Sequence, residues 1–474
     1  MKNNVLNHQN SELKVIVLGL ISAVLIGSAT PFVGIYIIGA IVGVIALFLF
    51  LKIELNSKTA FLFVSLLLYV NVLRPFGGYK IISSGLDALL ILLIVKHLFK
   101  NGVPKSKAFY LFCVTSFLLI SFFQIFNDNI PSLEAGMQGF RKTSLAFILF
   151  YLGLLGFDSS DEVRKFVKKF SIISVPVLIF GIKQYFSISD LDRLFLEANN
   201  ADIYTGMLFG KVRAVSIFAG SFHFGMFAAV LAILNMFLIS TSRKLRGKFF
   251  YLILFSLSFM ACYTSMTRTN LIALAVGILA YKILQMNLKV ILMILPVVTI
   301  AMLSFFSYVS ANYVNFLLSE NSFIRMIGTI ASFQEDTRLA GRSHGWETIS
   351  HLIKEKPFIA YGTGSAGDTL QNLYEFQYHV TSHNFFLKIL METGVFGGFF
   401  IFVLFLSIFM ILIRKTFNKP NNIHKKIAST SLAVFLIFLV NSLVGSTIET
   451  YPVSGFILLL LGIGISTYSD QTVQ

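Results

Sequence analysis

The chain has 474 residues, of which 56% are hydrophobic and only 13% charged, with a formal net charge of +16. A soluble protein carries about a quarter charged residues, so this composition excludes a soluble enzyme and describes a polytopic helical membrane protein. The basic excess does not indicate nucleic acid. Clusters such as Lys96, Lys100, Lys105, Lys107 and Arg243, Lys244, Arg246, Lys248 sit in short connections between apolar runs, where they mark the cytoplasmic side.

The apolar runs are continuous and near 20 residues long, a helix signature rather than a barrel one. They fall near 15–30, 32–51, 59–73, 81–95, 108–126, 144–157, 166–186, 215–239, 249–266, 271–284, 290–309, 384–413, 427–447 and 453–468. This predicts an all-α fold with about 12–14 transmembrane helices. The organisation is membrane helices over 1–309, a large external loop with short amphipathic helices over 310–383, and C-terminal membrane helices over 384–474. The first run leads through Pro31 into the second, so no cleavable signal peptide is expected. With the N-terminus inside, the loops 127–143, 187–214 and 310–383 face outward. Cys113 and Cys262 lie in apolar runs and read as small core residues, with no disulfide framework and no zinc cluster.

Arg141, Arg213 and Arg268 stand at the outward edges of spans, where the positive-inside bias disfavours them. Anion binding explains this, because guanidinium forks match phosphate oxygens; headgroup anchoring is the competing reading. Asp87 inside a span and Glu449 at the outer end of 427–447 are candidate salt-bridge partners.

The 310–383 loop holds Arg325, Arg338, Arg342, His344, His351 and His379. A loop of about 70 residues without function is uncommon. Within it, Gly345–Glu355 places Trp346, Ile349, Leu352 and Ile353 on one face, predicting an amphipathic helix on the membrane or over a cavity, ended by Pro357. Three spellings are discounted. Gly362-Thr-Gly364-Ser-Ala-Gly367 matches a dinucleotide fingerprint without its strand and helix, and reads as a turn. Asp190-Leu-Asp192 faces outward and reads as a solvated loop. His379 and His383 have a metal-pair spacing but no third ligand.

His383 begins the 384–413 span, behind Thr381 or Ser382 as the expected helix cap. The positive end of the helix favours a neutral imidazole able to accept a proton, with Asn384 holding one ring nitrogen. A histidine that only caps the helix is the alternative. A base at a membrane surface beside several guanidiniums suits chemistry on a lipid-linked anionic substrate. Gly394 and Gly397 recur at helical spacing with His383, Leu387 and Leu390, and predict a small-residue face for close helix approach. Glu392, roughly 13 Å below His383 along a helix, must be paired or protonated.

These features resemble the O-antigen ligase/polymerase family of bacterial membrane glycosyltransferases. The family's ligase pattern is a histidine followed by Asn, Ser or Gln, then nine residues, Gly, two residues and Gly. Here it reads His383-Asn384, residues 385–393, Gly394, two residues and Gly397. Gly341-Arg342…Trp346 and Pro357-Phe-Ile-Ala-Tyr-Gly362-Thr-Gly364 look like its loop motif. Ser265-Met-Thr-Arg268-Thr269 looks like its Ser-Arg-Thr turn, with one departure before Thr267, and Arg213-Ala-Val-Ser is similar to its arginine before a span. The resemblance implies a C-type glycosyltransferase-like fold in the bacterial cytoplasmic membrane, with an active site on the periplasmic or extracellular side. It implies a polyprenyl-pyrophosphate-linked glycan donor, a glycan acceptor, and no metal or nucleotide cofactor. His383 would be the catalytic base, Arg213, Arg268 and Arg342 would hold the pyrophosphate, and Asn384, Gly394 and Gly397 would support them. A chain-length regulator and a flippase are further partners consistent with it. The leading expectation is a polymerase of surface polysaccharide repeat units (O-antigen, capsule or exopolysaccharide), with a ligase second. A transporter of lipid-linked oligosaccharide is third, because no repeated halves are evident.

Overall fold

The computed structural model describes residues 52–198, 207–208, 210–286, 288–331, 337–367, 370–371, 373–418 and 423–466. The expected spans 15–30 and 32–51 lie outside them. The chain divides into two units, 1–54 and 55–474, and the description below concerns the second.

Eighteen helices follow in chain order: α1 Ser57–Tyr69, α2 Tyr79–Asn101, α3 Ala108–Phe123, α4 Leu133–Ser144, α5 Ala146–Leu155, α6 Ser160–Ile173, α7 Val175–Phe186, α8 Asp190–Glu197, α9 Ser221–Thr241, α10 Leu245–Thr264, α11 Arg268–Ile283, α12 Leu288–Ala311, α13 Tyr313–Leu317, α14 Ser322–Ala331, α15 Thr337–Glu355, α16 Phe385–Asn418, α17 Ile423–Ser442 and α18 Val453–Ser466. The strands among the described residues are a two-residue ribbon, β1 Met207–Leu208 against β2 Lys211–Val212, with Met207 opposite Val212. The protein is therefore an all-α polytopic membrane protein. Among the described residues, six stretches are long and apolar enough to cross a membrane: Tyr79–Asn101, Lys105–Phe126, Ser221–Thr241, Leu245–Thr264, Phe385–Phe417 and Ile423–Ser442. The expected span 166–186 is broken into α6 and α7 at Ser174, ahead of Pro176 in the first turn of α7, where proline is tolerated.

The centre is a pair of short helices. Every residue of α5 and of α18 is buried. A Cβ on Gly153 would lie 2.0 Å from the Leu459 carbonyl oxygen, and one on Gly462 would lie 2.4 Å from that of Phe150. These glycines let the two backbones touch, the usual device where helices associate without water to drive them. Around them α9 packs on α10, α11 and α17, and α16 on α3 and α17. Residues 224–238 of α9 are all buried, so this apolar helix meets protein on all sides. By contrast α2, α10 and α16 expose Ile81, Phe99, Phe249, Phe399 and Phe402, side chains suited to lipid.

The stretch expected as one long loop contains α13, α14 and α15. The amphipathic prediction holds in α15: Ile349 and Leu352 are buried with Tyr361, Ala366 and Met391, and Ile353 packs beside them. The helix ends at Glu355, before Pro357. The glycine-rich 362–367 segment forms turns, with φ of 87° at Gly362 and 92° at Gly364. It docks on α4, where Thr363 donates to the Gly136 carbonyl at 3.0 Å.

Candidate active site

His383 lies outside the helix it was expected to begin. Asn384, rather than Thr381 or Ser382, caps α16: its Oδ1 accepts from Phe386 N at 2.9 Å and Leu387 N at 3.1 Å. Its Nδ2 donates to the Leu443 carbonyl at 3.0 Å. Asn384 thus serves as a cap and a strut, because a short side chain one residue before the helix reaches the orphan first-turn amides. His383 precedes it in a left-handed conformation, φ 40°, and is half-buried. Histidine tolerates this region better than most residues. The turn is clamped from two directions. Trp346 Nε1 on α15 donates to the Ser382 carbonyl at 2.8 Å, and the Ser382 and Ser446 hydroxyls lie 3.0 Å apart.

The expected small-residue helix face is not what the glycines form. Gly394 has φ 67° and ψ −172° and breaks α16. The 357–361 segment enters the break: Val395 N donates to the Pro357 carbonyl at 2.8 Å, and Tyr361 N to the Met391 carbonyl at 2.9 Å. Backbone groups that an uninterrupted helix would pair internally are satisfied by this segment instead. A Cβ on Gly394 would stand 2.9 Å from both the Pro357 and Phe358 oxygens. Gly397 has its close neighbour within its own helix, at the Thr393 side chain.

Glu392 is paired, as its depth requires. It is fully buried with Lys388, its partner one turn away. Lys388 also bonds Glu449 at 2.8 Å. Thr143 donates to Glu392 at 2.6 Å, and Ala366 N at 3.3 Å. Asp87 takes Arg141, whose Nε lies 3.0 Å away while its Nη2 donates to Ser83 at 2.6 Å. Tyr451 donates to the other Asp87 oxygen. Arg141 is thus an ion-pair partner within the protein, and Glu449 pairs with a lysine that sequence reasoning missed. Its signal was present in the Lys388–Glu392 spacing, which places both on one face of an apolar helix. Asp192 has a local structural role as well, accepting from Ser189 N at 2.6 Å and pairing with Lys183.

Arg213 follows β2 and is held over the 265–268 turn. Ala214 N donates to the Thr264 carbonyl at 3.1 Å, and Arg213 Nη2 to Thr267 Oγ1 at 3.0 Å. The buried Gln184 fixes the next two residues by accepting from Val215 N at 3.1 Å and Ser216 N at 2.7 Å. Arg268 opens α11, and its Nη1 donates to the Thr329 carbonyl at 2.8 Å. Asn270 ties this turn to the start of α9 by donating to the Phe222 carbonyl at 2.9 Å. Gly225 permits the approach, since a Cβ there would stand 2.4 Å from both Asn270 and Ser265.

The segments that carry Arg213, Arg268 and His383 are all linked to the start of α9. Arg213 and Arg268 reach it through the 264–270 turn. The His383 turn reaches it through Leu443 and Gly445, the latter against Phe222. Arg342 lies on α15 one turn before Trp346, the residue that clamps the His383 turn. Burial pushes the Lys142 ammonium, beside the same region, below the ordinary lysine range; Glu449 opposes this, while Lys388, Arg74 and Lys80 add to it.

The family model described as O-antigen ligase matches residues 253–403, which include Arg268, Arg342, His383, Gly394 and Gly397 but not Arg213. Over those residues the chain is similar to that family. Members of that family are membrane glycosyltransferase-like enzymes, ligases or polymerases. No curated protein matches the chain.

Proposed function

We propose that the protein is a polymerase that joins polyprenyl-pyrophosphate-linked oligosaccharide repeat units into a surface polysaccharide at the outer face of the bacterial cytoplasmic membrane. The observation that carries this reading is the meeting of the Arg213, Arg268 and His383 turns around one helix start. An acceptor hydroxyl is a poor nucleophile, and His383 takes its proton as the oxygen attacks the anomeric carbon. The bond from that carbon to the diphosphate breaks, and polyprenyl pyrophosphate leaves. Arg213 and Arg268, with Arg342 from α15, stabilise the charge that grows on the leaving group. One displacement inverts the anomeric centre. The chemistry needs no nucleotide and no metal, and a flippase supplying the donor is its natural partner.

A ligase that moves finished glycan to another acceptor is the second reading, favoured by the similarity of residues 253–403 to the O-antigen ligase family. His383→Ala tests both. Loss of a positioned base costs about 10²–10⁴-fold, so cells carrying the variant accumulate lipid-linked donor. For a polymerase the surface glycan collapses to a single repeat. For a ligase, long polymer stays on the lipid. A normal glycan ladder from stably expressed variant protein overturns the catalytic role and leaves His383 a structural turn residue.

A further inference from the structure

The helix α15 carries a surface that the reaction above does not use. Its apolar side is spent on protein, where Ile349 and Leu352 are buried with Tyr361, Ala366 and Met391. The opposite side is therefore not one that enters lipid. There a groove of about 450 Å³ runs along the helix, lined among the described residues by Ser343, Trp346, Glu347, Ser350, His351 and Lys354. These positions recur every three or four residues and so share one stripe of the helix. From Ser343 to Lys354 the stripe is roughly 16 Å long at 1.5 Å per residue, longer than a single sugar ring.

The groove begins at the His383 turn. A Cβ on Gly345 would stand 3.0 Å from the Thr381 carbonyl oxygen, and Trp346 Nε1 donates to the Ser382 carbonyl at 2.8 Å. With that N–H committed, what the half-buried Trp346 offers the groove is its ring. The rest of the lining is polar and of both signs. Glu347, His351 and Lys354 are exposed, and Ser350 is half-buried. His351 Nδ1 lies 3.2 Å from Glu355, which orients the imidazole. An acid, a base, hydroxyls and an imidazole in one groove do not select an anion. An indole beside mixed hydrogen-bond donors and acceptors matches a sugar, which has an apolar C–H face and a rim of hydroxyls.

We propose that this groove is a saccharide subsite that holds the glycan of the acceptor, with Trp346 against a sugar ring and Glu347, His351 and Lys354 bonding hydroxyls. The assignment rests on the reading of His383 as the base, because the acceptor hydroxyl must arrive at that turn, where the groove begins. The donor carries sugar as well, so the test separates the two.

Trp346 is the single tryptophan of the chain, so its fluorescence reports on this groove alone. Full-length protein in nanodiscs is titrated to millimolar concentration with oligosaccharides from partial acid hydrolysis of the producing cells' surface polysaccharide. A saturable change in tryptophan emission is expected, and dextran oligosaccharides of the same length are expected to give none. Glu347→Ala and Lys354→Ala alter exposed side chains and keep the reporter. Each is expected to weaken binding about tenfold, the weight of one hydrogen bond to a charged group. In glycan synthesis by the purified protein, both raise KM for the acceptor and leave KM for the donor unchanged. No emission change with the cells' own oligosaccharides, an equal change with dextran, unaltered affinity in both alanine variants, or a rise in the donor KM alone overturns the assignment. His383→Ala, titrated alongside, is expected to bind the oligosaccharide normally and make no product. Loss of product with no emission change sinks the groove and leaves the base standing, whereas an emission change with normal product sinks the base and leaves the groove a sugar site.

Discussion

At the scale of single residues, the arginines are distinguished by what their forks do. Arg141 is spent on Asp87 and Ser83. Arg213 donates to Thr267 and Arg268 to the Thr329 carbonyl, contacts that fix the plane of each guanidinium. Lysine keeps the charge but loses the plane. Arg213→Lys and Arg268→Lys are therefore expected to lose most glycan synthesis with expression preserved, read by electrophoresis of the surface glycan. Near-normal glycan from both would make these residues anchors and shift the diphosphate role to Arg342. The His383-Asn384 pair and both arginine turns were legible in the sequence because their chemistry lies in adjacent residues. Lys388 was not, because its second partner, Glu449, lies far away in the sequence.

At the scale of elements, α16 decides how the external segment meets the membrane helices. A glycine spacing that reads as a smooth helix face is a break in which 357–361 is inserted, and the break holds α15 and its Trp346 clamp over the His383 turn. Gly394 occupies a backbone region essentially restricted to glycine, where another residue costs about 1–3 kcal/mol, and its Cβ would also press on two carbonyl oxygens. Gly394→Ala is expected to lower the melting temperature of detergent-solubilised protein and to reduce activity through backbone strain as well as contact, whereas Gly397→Ala keeps helical backbone and presses on the Thr393 Oγ1 and Cβ, 2.1 and 2.5 Å away, so its cost is steric alone. An unchanged melting temperature for Gly394→Ala would remove the break from any role in stability.

At the scale of the whole molecule, the orientation proposed from the basic connections puts 310–383 outside and both termini in the cytoplasm. A cysteine at Ser343, exposed on α15, is expected to react with an impermeant thiol reagent in intact spheroplasts, and one at Asn421 to be protected. The opposite pattern overturns the orientation and the external site together. Sequence alone determined that this is a multi-pass helical protein, and which histidine and arginine turns merit attention. Hydropathy and helix signals are local, set by each run of side chains against lipid. Only the tertiary structure decided which charges neutralise one another and which remain around the site. Asp87 meets Arg141 and Tyr451, and Glu392 meets Thr143, across separations that no local pattern encodes. In a membrane interior those pairings are compulsory, because an unpaired charge there is too costly to keep.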